Sequence, residues 1–448
     1  MKGADERYPL AWIDEYVERI RDYVVVREED CLLIKVPNEA HKLNASGVAI
    51  LKRLLSGESV LELWASRGRS PEVQRDLYEF FVGLKQVLQG CVNEHRLPES
   101  VVSKPFSLGF NTLPVLSELA LTYRCNLRCR FCYASCGCTR SDGHAGEVTT
   151  DEARRLLRVI REDAQVPSVS FTGGEPTLRN DLCALVRCAR EEFGLRVNLI
   201  TNGSLIDEAV ARRLKNAGLH SAQVSLESPD GAVHDELTQV DGSYNRTLAA
   251  IGHLLESGIR VHTNTTLNQV NATSVGALPG FVRSLGLERF SMNLIIPAGS
   301  SRAACPDIHV RYADARDVIL HIKEEAQRCG VEFMWYSPTP VCIFNPIQHQ
   351  LGNKGCAACD GLLSISPTGD VLPCSSWSEP VGNLLREDFR RVWDSARARW
   401  LREKAFAPAL CQECDDFALC QGGCPLYWRH FGYEELEQYG GRYAAATG

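Results

Sequence analysis

Nineteen cysteines in a chain of 448 residues constrain this sequence more than any other feature. Nine fall in three tight runs: CNLRCRFC from position 125, CDGLLSISPTGDVLPC from 359 and CQECDDFALCQGGC from 411. The N-terminus, MKGADERYPLAW, is charged and has no apolar signal core, so the expectation is a cytoplasmic chain. In that setting cysteines at regular spacings are expected to hold metal or clusters, not disulfides. The odd count also argues against complete pairing. Cys31, Cys91, Cys183, Cys188, Cys305 and Cys329 stand outside any run and are read as buried apolar residues.

The rest of the chain divides by pattern. Residues 1–98 open with an amphipathic stretch from Leu10 to Val26. DCLLIKVPNEAHKLN then alternates like a strand pair, and SGVAILKRLL with SVLELWASRG and SPEVQRDLYEFFVGLKQVLQ repeat at helical intervals. Ser70 and Pro71 mark the start of the last helix. This is a small α/β module about the size of a winged helix. LPESVVSKPFSLGFNTLP carries three prolines and little periodicity, which makes 99–114 a linker.

Residues 115–335 alternate strands and helices. LSELALTY, VPSVSFTG, RVNLITNG, SAQVSLES, RVHTNTTLN and RFSMNLIIPAG read as strands. Helical patterns lie between them, and Gly218, Gly258 and Gly286 stand where helices should end. About six βα units imply parallel strands with right-handed crossovers, in a doubly wound sheet or a partial barrel. Active sites in such folds gather at the C-terminal strand ends, where the motifs of this chain fall. Residues 336–448 lose this rhythm and become dense in cysteine, glycine and proline.

Cys125, Cys129 and Cys132 follow the first strand. Three thiolates can hold three irons of a cubane and leave the fourth open. Cys136 and Cys138 lie close enough to complete a zinc site instead, so spacing alone leaves both readings open.

The run C-x3-C-x-aromatic-C, with Phe131 as the aromatic, resembles the signature of the radical S-adenosylmethionine (SAM) superfamily. FTGGEP after the second strand, LITNGS after the third and QVSLES on the fourth agree with that family in type and order. The resemblance implies a partial (β/α)6 barrel and a SAM-binding 4Fe–4S cluster on the three cysteines. It implies SAM contacts from Gly173, Gly174, Glu175, Asn202, Ser225 and Arg246. It also implies the chemistry: a 5′-deoxyadenosyl radical that removes hydrogen from an unactivated carbon, with the electron coming from a donor such as flavodoxin or ferredoxin.

The C-terminal runs resemble the SPASM extension of radical SAM peptide maturases, which holds two auxiliary 4Fe–4S clusters and brings the total to three. The resemblance implies Cys359, Cys374 and Cys424, with Cys356 as fourth ligand, for the first auxiliary cluster. It implies Cys411, Cys414 and Cys420 for the second. The family pattern ends with a further cysteine, and none follows Cys424. Cys342, Asp415, Asp416 or an open iron remain for the vacant place. Sulfatase-maturing relatives carry a catalytic aspartate after the cysteine matched by Cys374; here Ser375 stands there, which disfavours formylglycine formation.

Residues 23–92 resemble PqqD-like recognition elements, which bind a leader peptide as an added strand. The function expected is maturation of a ribosomally made precursor peptide by crosslink, thioether or epimerisation. The alternatives are tetrapyrrole side-chain modification, as in haem biosynthesis, and maturation of a protein substrate. A net charge of −7, without a basic stripe, points away from nucleic acid, and no apolar run is long enough to span a membrane. The acidic charge and the GGEP site also disfavour a winged-helix regulator with zinc-ribbon or redox-sensing clusters.

Overall fold

The computed structural model describes residues 6–36, 39–89, 109–136, 146–303 and 307–439. Cys91, Cys138, Cys305 and most of the proline-bearing linker lie outside them. The chain forms two compact units, Met1–Val115 and Leu116–Gly448.

The first unit has an antiparallel sheet of β1 (Val24–Arg27), β2 (Leu32–Lys35) and β3 (Glu39–Lys42), in that order. β2 and β3 are the expected strand pair. β1 lies at the end of the amphipathic stretch read from Leu10 to Val26, of which the helix takes only Ala11–Ile20. The β-branched run Val24–Val26 suits a pleated strand better. Helices Ala45–Leu55, Val60–Ser66 and Pro71–Leu88 follow, each capped by a side-chain oxygen, from Asn44, Ser59 and Ser70. Ile13, Val17, Leu51, Leu63 and Phe81 form the core. Arg27, 1% exposed, pairs with Asp30 at 2.7 Å and donates to the carbonyls of Leu113 and Pro114. The described end of the linker is therefore pinned to β1.

The second unit is built on one ten-stranded sheet. β4 (Leu116–Thr122), β5 (Ser168–Gly173), β6 (Arg196–Thr201), β7 (Ser221–Ser225), β8 (Arg260–Leu267), β9 (Arg289–Leu294) and β10 (Glu332–Trp335) run parallel in sequential order. All six expected strands are present. β10 was not expected, nor were helices Gly231–Thr238 and Tyr312–Cys329. On the other side of β4 lies β11 (Leu362–Ile365), also parallel, followed by antiparallel β12 (Asp370–Leu372) and β13 (Gly382–Asn383). The cysteine-rich region thus extends the core sheet.

Sequential strand order puts every right-handed crossover on one side of the sheet. Side chains alternate between the faces. Leu119, Phe171, Leu199, Val224 and Met292 are buried on one. The other is polar: Asn198 donates to Ser170 and accepts from Ser221, His262 meets Gln223, and Asn264 bonds Asn293. A sheet face carpeted with amides and hydroxyls is built for a polar, partly wet interior.

Candidate functional site

The loop after β4 carries Cys125, Cys129 and Cys132, and its backbone is gripped from three directions. The N–H groups of Arg128 and Arg130 donate to the carbonyls of Thr238 and Leu237, the last turn of helix Gly231–Thr238. The carbonyl of Cys132 accepts from Ser300 N–H at 2.8 Å. Gly299, at φ +56°, lies so close that an added Cβ would stand 2.4 Å from the Cys132 oxygen. The N–H groups of Gly174 and Glu175 donate to Thr122 and Arg124, each at 2.8 Å. A Cβ at Gly174 would meet the Arg124 oxygen at 2.2 Å. The close approach that this GG pair permits is therefore to the exit of β4.

Burial pushes Cys125 up to about 11 and Cys129 well above a normal thiol, and both also feel the charge of the neighbouring cysteines. Cys136 is buried beside Cys132, whose sulfur accepts its N–H at 3.3 Å. Phe131 is half-buried in the same loop.

Glu175 is fully buried, and its carboxylate is already engaged. It accepts from the Thr201 hydroxyl at 2.8 Å, from the N–H of Asn202 at 2.8 Å, and from the N–H and hydroxyl of Thr177. It ties the ends of β5 and β6 together. Asn202 reaches the cysteine loop itself, donating to Asn126 at 3.0 Å and approaching Cys125 Sγ at 3.9 Å. Ser225 ends β7 and has no side-chain hydrogen bond among the described residues. Arg246 is exposed, and its guanidinium donates to the Asp241 carbonyl. The structure gathers Gly174, Glu175 and Asn202 at the cysteine loop but gives Arg246 no contact with them.

The C-terminal cysteines form two sets of four. The spacing C-x9-G-x4-C is the β11–β12 hairpin: Ser364 faces Leu372, and a turn with Gly369 closes it. Cys359 precedes the hairpin and Cys374 follows it, so both come to one end, where Cys359 N–H donates to the Pro373 carbonyl. Cys356 and Cys424 join them. The thiols of this set are pushed up by burial first, then by one another's charge. Lys404 lies under the set with no exposed surface, donating to the Cys356 carbonyl at 2.6 Å and to Asp360 at 2.8 Å.

Cys411, Cys414 and Cys420 form the core of the second set, with Cys342 beside them. Burial pushes Cys342 up to about 12, and the charges of Cys420, Cys411 and Cys414 add to the effect. Asp415 and Asp416 lie within the run, and the charge of Asp416 adds a minor upward push on the Cys420 thiol after burial. The isolated cysteines differ from expectation: Cys31, Cys183, Cys188 and Cys329 are half-buried, not buried. Cys31 sits at φ +54° in the β1–β2 turn, and the other three lie on helices whose apolar faces admit them only at the edge.

All three donor sets are thiols. Among the described residues no three Cys, His, Asp or Glu side chains converge tightly enough to hold a single ion. A tetrahedral zinc needs its sulfurs about 4 Å apart, whereas a cubane spreads its thiolates wider. The donor chemistry fits iron–sulfur clusters.

Comparison with known proteins agrees with this fold and chemistry. Residues 119–271 match the Radical SAM superfamily and residues 356–415 match an iron-sulfur cluster-binding domain, SPASM. The chain belongs to the radical SAM superfamily and is an enzyme of that class. It is 33% identical over 330 residues to the Fe-coproporphyrin III synthase of Methanosarcina barkeri, covering 67% of this chain and 81% of that one. It is 28% identical to the AdoMet-dependent heme synthase of Nitratidesulfovibrio vulgaris, over 68% of this chain and 85% of that protein. The PqqA peptide cyclase of Streptomyces rochei is 26% identical, over 68% and 83%. Among solved structures, Streptococcus suis SuiB shares the fold with a TM-score of 0.67 at 18% identity, over 90% of this chain and 95% of that one. No helix among the described residues is long and apolar enough to cross a membrane.

Proposed function

We propose that this enzyme matures a precursor peptide, and that its first unit binds the leader segment. The observation that carries this reading is the edge of the three-stranded sheet. Among the described residues β3 pairs with β2 alone, so one backbone side of Glu39–Lys42 has no strand partner there and would take an added strand. Strand addition gives main-chain hydrogen bonds without demanding a particular sequence. SuiB, which has the same fold, has been solved bound to its precursor peptide SuiA.

Three 4Fe–4S clusters complete the proposed enzyme, one on Cys125, Cys129 and Cys132 and two on the C-terminal sets. Bound at the first set, cluster and SAM supply a 5′-deoxyadenosyl radical. The residues of this chain orient and shield it: Gly173–Glu175 and Asn202 shape the place for the SAM head, Ser225 offers it a hydroxyl, and Phe131 covers the loop. Exposed as it stands, Arg246 reaches SAM only by leaving the Asp241 carbonyl. A flavodoxin or ferredoxin is the proposed electron donor.

The substrate residue would lie over the polar sheet face. The carboxylate there is Glu118, which accepts from Ser364 at 2.6 Å and from Ser375, and forms no ion pair among the described residues. Burial raises its affinity for a proton. It is placed to take a proton from the substrate.

Haem-type chemistry is the second reading, favoured by the tetrapyrrole enzymes among the curated relatives. The polar sheet face suits peptide amides better than a macrocycle. Fluorescence anisotropy of the full chain with labelled peptides encoded beside its gene separates the two. Binding near 1 μM, about −8 kcal/mol, that is lost when β3 carries Ala40→Pro supports the peptide reading. No binding, together with turnover of Fe-coproporphyrin, supports the other.

A further inference from the structure

We infer that Cys342 is the fourth ligand of the second auxiliary cluster, so that a residue upstream of the SPASM motif closes a site which the motif itself leaves one thiolate short. The inference rests on the three-cluster reading above.

Three observations place Cys342 there. The neighbouring N–H, that of Val341, donates to Cys420 Sγ at 3.3 Å, which sets residue 342 against the CQECDDFALC run. Pro340 packs onto the backbone just past Cys420, where a Cβ on Gly423 would stand 2.8 Å from its Cγ. Cys342 itself is half-buried in this segment, not displayed to solvent.

The segment is stiff enough to hold that position. Pro338 and Pro340 fix two φ angles. Pro338 O accepts from Tyr312 Oη at 2.8 Å, and Pro340 O accepts from both Ile343 and Phe344 N–H. Of the competing donors, Asp415 is exposed.

Four thiolates saturate the four irons of a cubane. The second auxiliary cluster would therefore have no open iron for a substrate thiolate, and its use would be confined to electron transfer.

The test compares anaerobically reconstituted wild type, Cys342→Ala and Cys188→Ala, the last being a half-buried cysteine outside every set. Wild type and Cys188→Ala should hold about twelve irons, and Cys342→Ala about eight, or about eleven if it keeps a three-iron remnant. Twelve irons in Cys342→Ala with an unchanged EPR spectrum overturns the inference. Iodoacetamide mapping by mass spectrometry reads the same point without any variant. Cys342 and Cys420 should be protected together in the loaded protein and alkylated together after iron chelation. Alkylation of Cys342 at equal rates in both states, with Cys420 protected, overturns it. If wild type holds only about four irons and no C-terminal cysteine is protected, the three-cluster reading falls, and this inference with it.

Discussion

Lys404 Nζ lies 2.8 Å from an Asp360 carboxylate oxygen and 2.6 Å from the carbonyl oxygen of Cys356, wholly out of solvent. A buried cation beside a thiolate set favours whichever cluster state carries more negative charge. Lys404→Met should lower the reduction potential of the first auxiliary cluster, read by EPR-monitored titration. It also removes the ion pair of Asp360, which should cost about 3 kcal/mol of stability. A potential equal to wild type in a folded variant would rule out the electrostatic role.

Gly299→Ala tests the grip on the SAM-cluster loop. Its Cβ would collide with the carbonyls of Cys132 and Tyr133. The expected outcome is loss of about four irons and of SAM cleavage, while the two auxiliary clusters persist. Retained cleavage would mean that the loop tolerates displacement.

Glu118→Gln preserves the shape of the side chain and the Ser364 hydrogen bond but removes the base. Product formation should fall about 100-fold or more, while 5′-deoxyadenosine still forms. Equal loss of both would assign Glu118 to folding or SAM binding. Glu118→Asp should recover part of the product.

His234, 1% exposed, is held neutral, with burial lowering it to about 4 against an ordinary 6.5. Its Nδ1 accepts from Glu227 N–H. The unfolded chain therefore binds this proton more readily than the folded one between pH 6.5 and 4. Stability is lost as pH falls through that window, by about 3 kcal/mol in all. Urea midpoints at pH 7 and pH 5 should differ less in His234→Gln than in wild type; an identical difference would sink the assignment.

Arg27→Leu leaves Asp30 buried without its partner and frees the carbonyls of Leu113 and Pro114. The first unit should lose about 3–5 kcal/mol, and amides around residues 109–114 should exchange faster by mass spectrometry. Unchanged exchange would show that the pair does not pin that segment.

Local periodicity made much of this fold legible. The six strands β4–β9 and the helix start at Ser70 follow from short-range pattern, whereas the hairpin behind C-x9-G-x4-C was read only as ligand spacing. β1 was hidden because it ends the amphipathic stretch from Leu10 to Val26, and β10 because it is a short apolar run, for which periodicity does not separate strand from helix. The motifs pointed to the first cysteine site but not to how its neighbours are held. Gly174 packs on the exit of β4, and Glu175 accepts from Thr177, Thr201 and Asn202, contacts that no motif displays. Glu118 went unnoticed because its partners, Ser364 and Ser375, lie about 250 residues away in sequence and meet it only through the pairing of β11 with β4. Cys342 was visible as a candidate, but the contacts that set its segment against the second run, Pro340 at Gly423 and Val341 N–H at Cys420 Sγ, cannot be read from sequence.

The same β4–β11 pairing orders events as the chain leaves the ribosome. Leu116 pairs with Leu362, so the strand that leads into the SAM cysteines waits for nearly the whole chain before its outer edge is covered. Contacts that span such a distance form late, and until then β4 presents an open row of N–H and C=O groups to other chains. A nascent or truncated protein ending before β11 should therefore be prone to aggregate, whatever its iron supply. The cysteine-rich tail acts as the sheet's closing seam, and insertion of its clusters is coupled to the last step of folding.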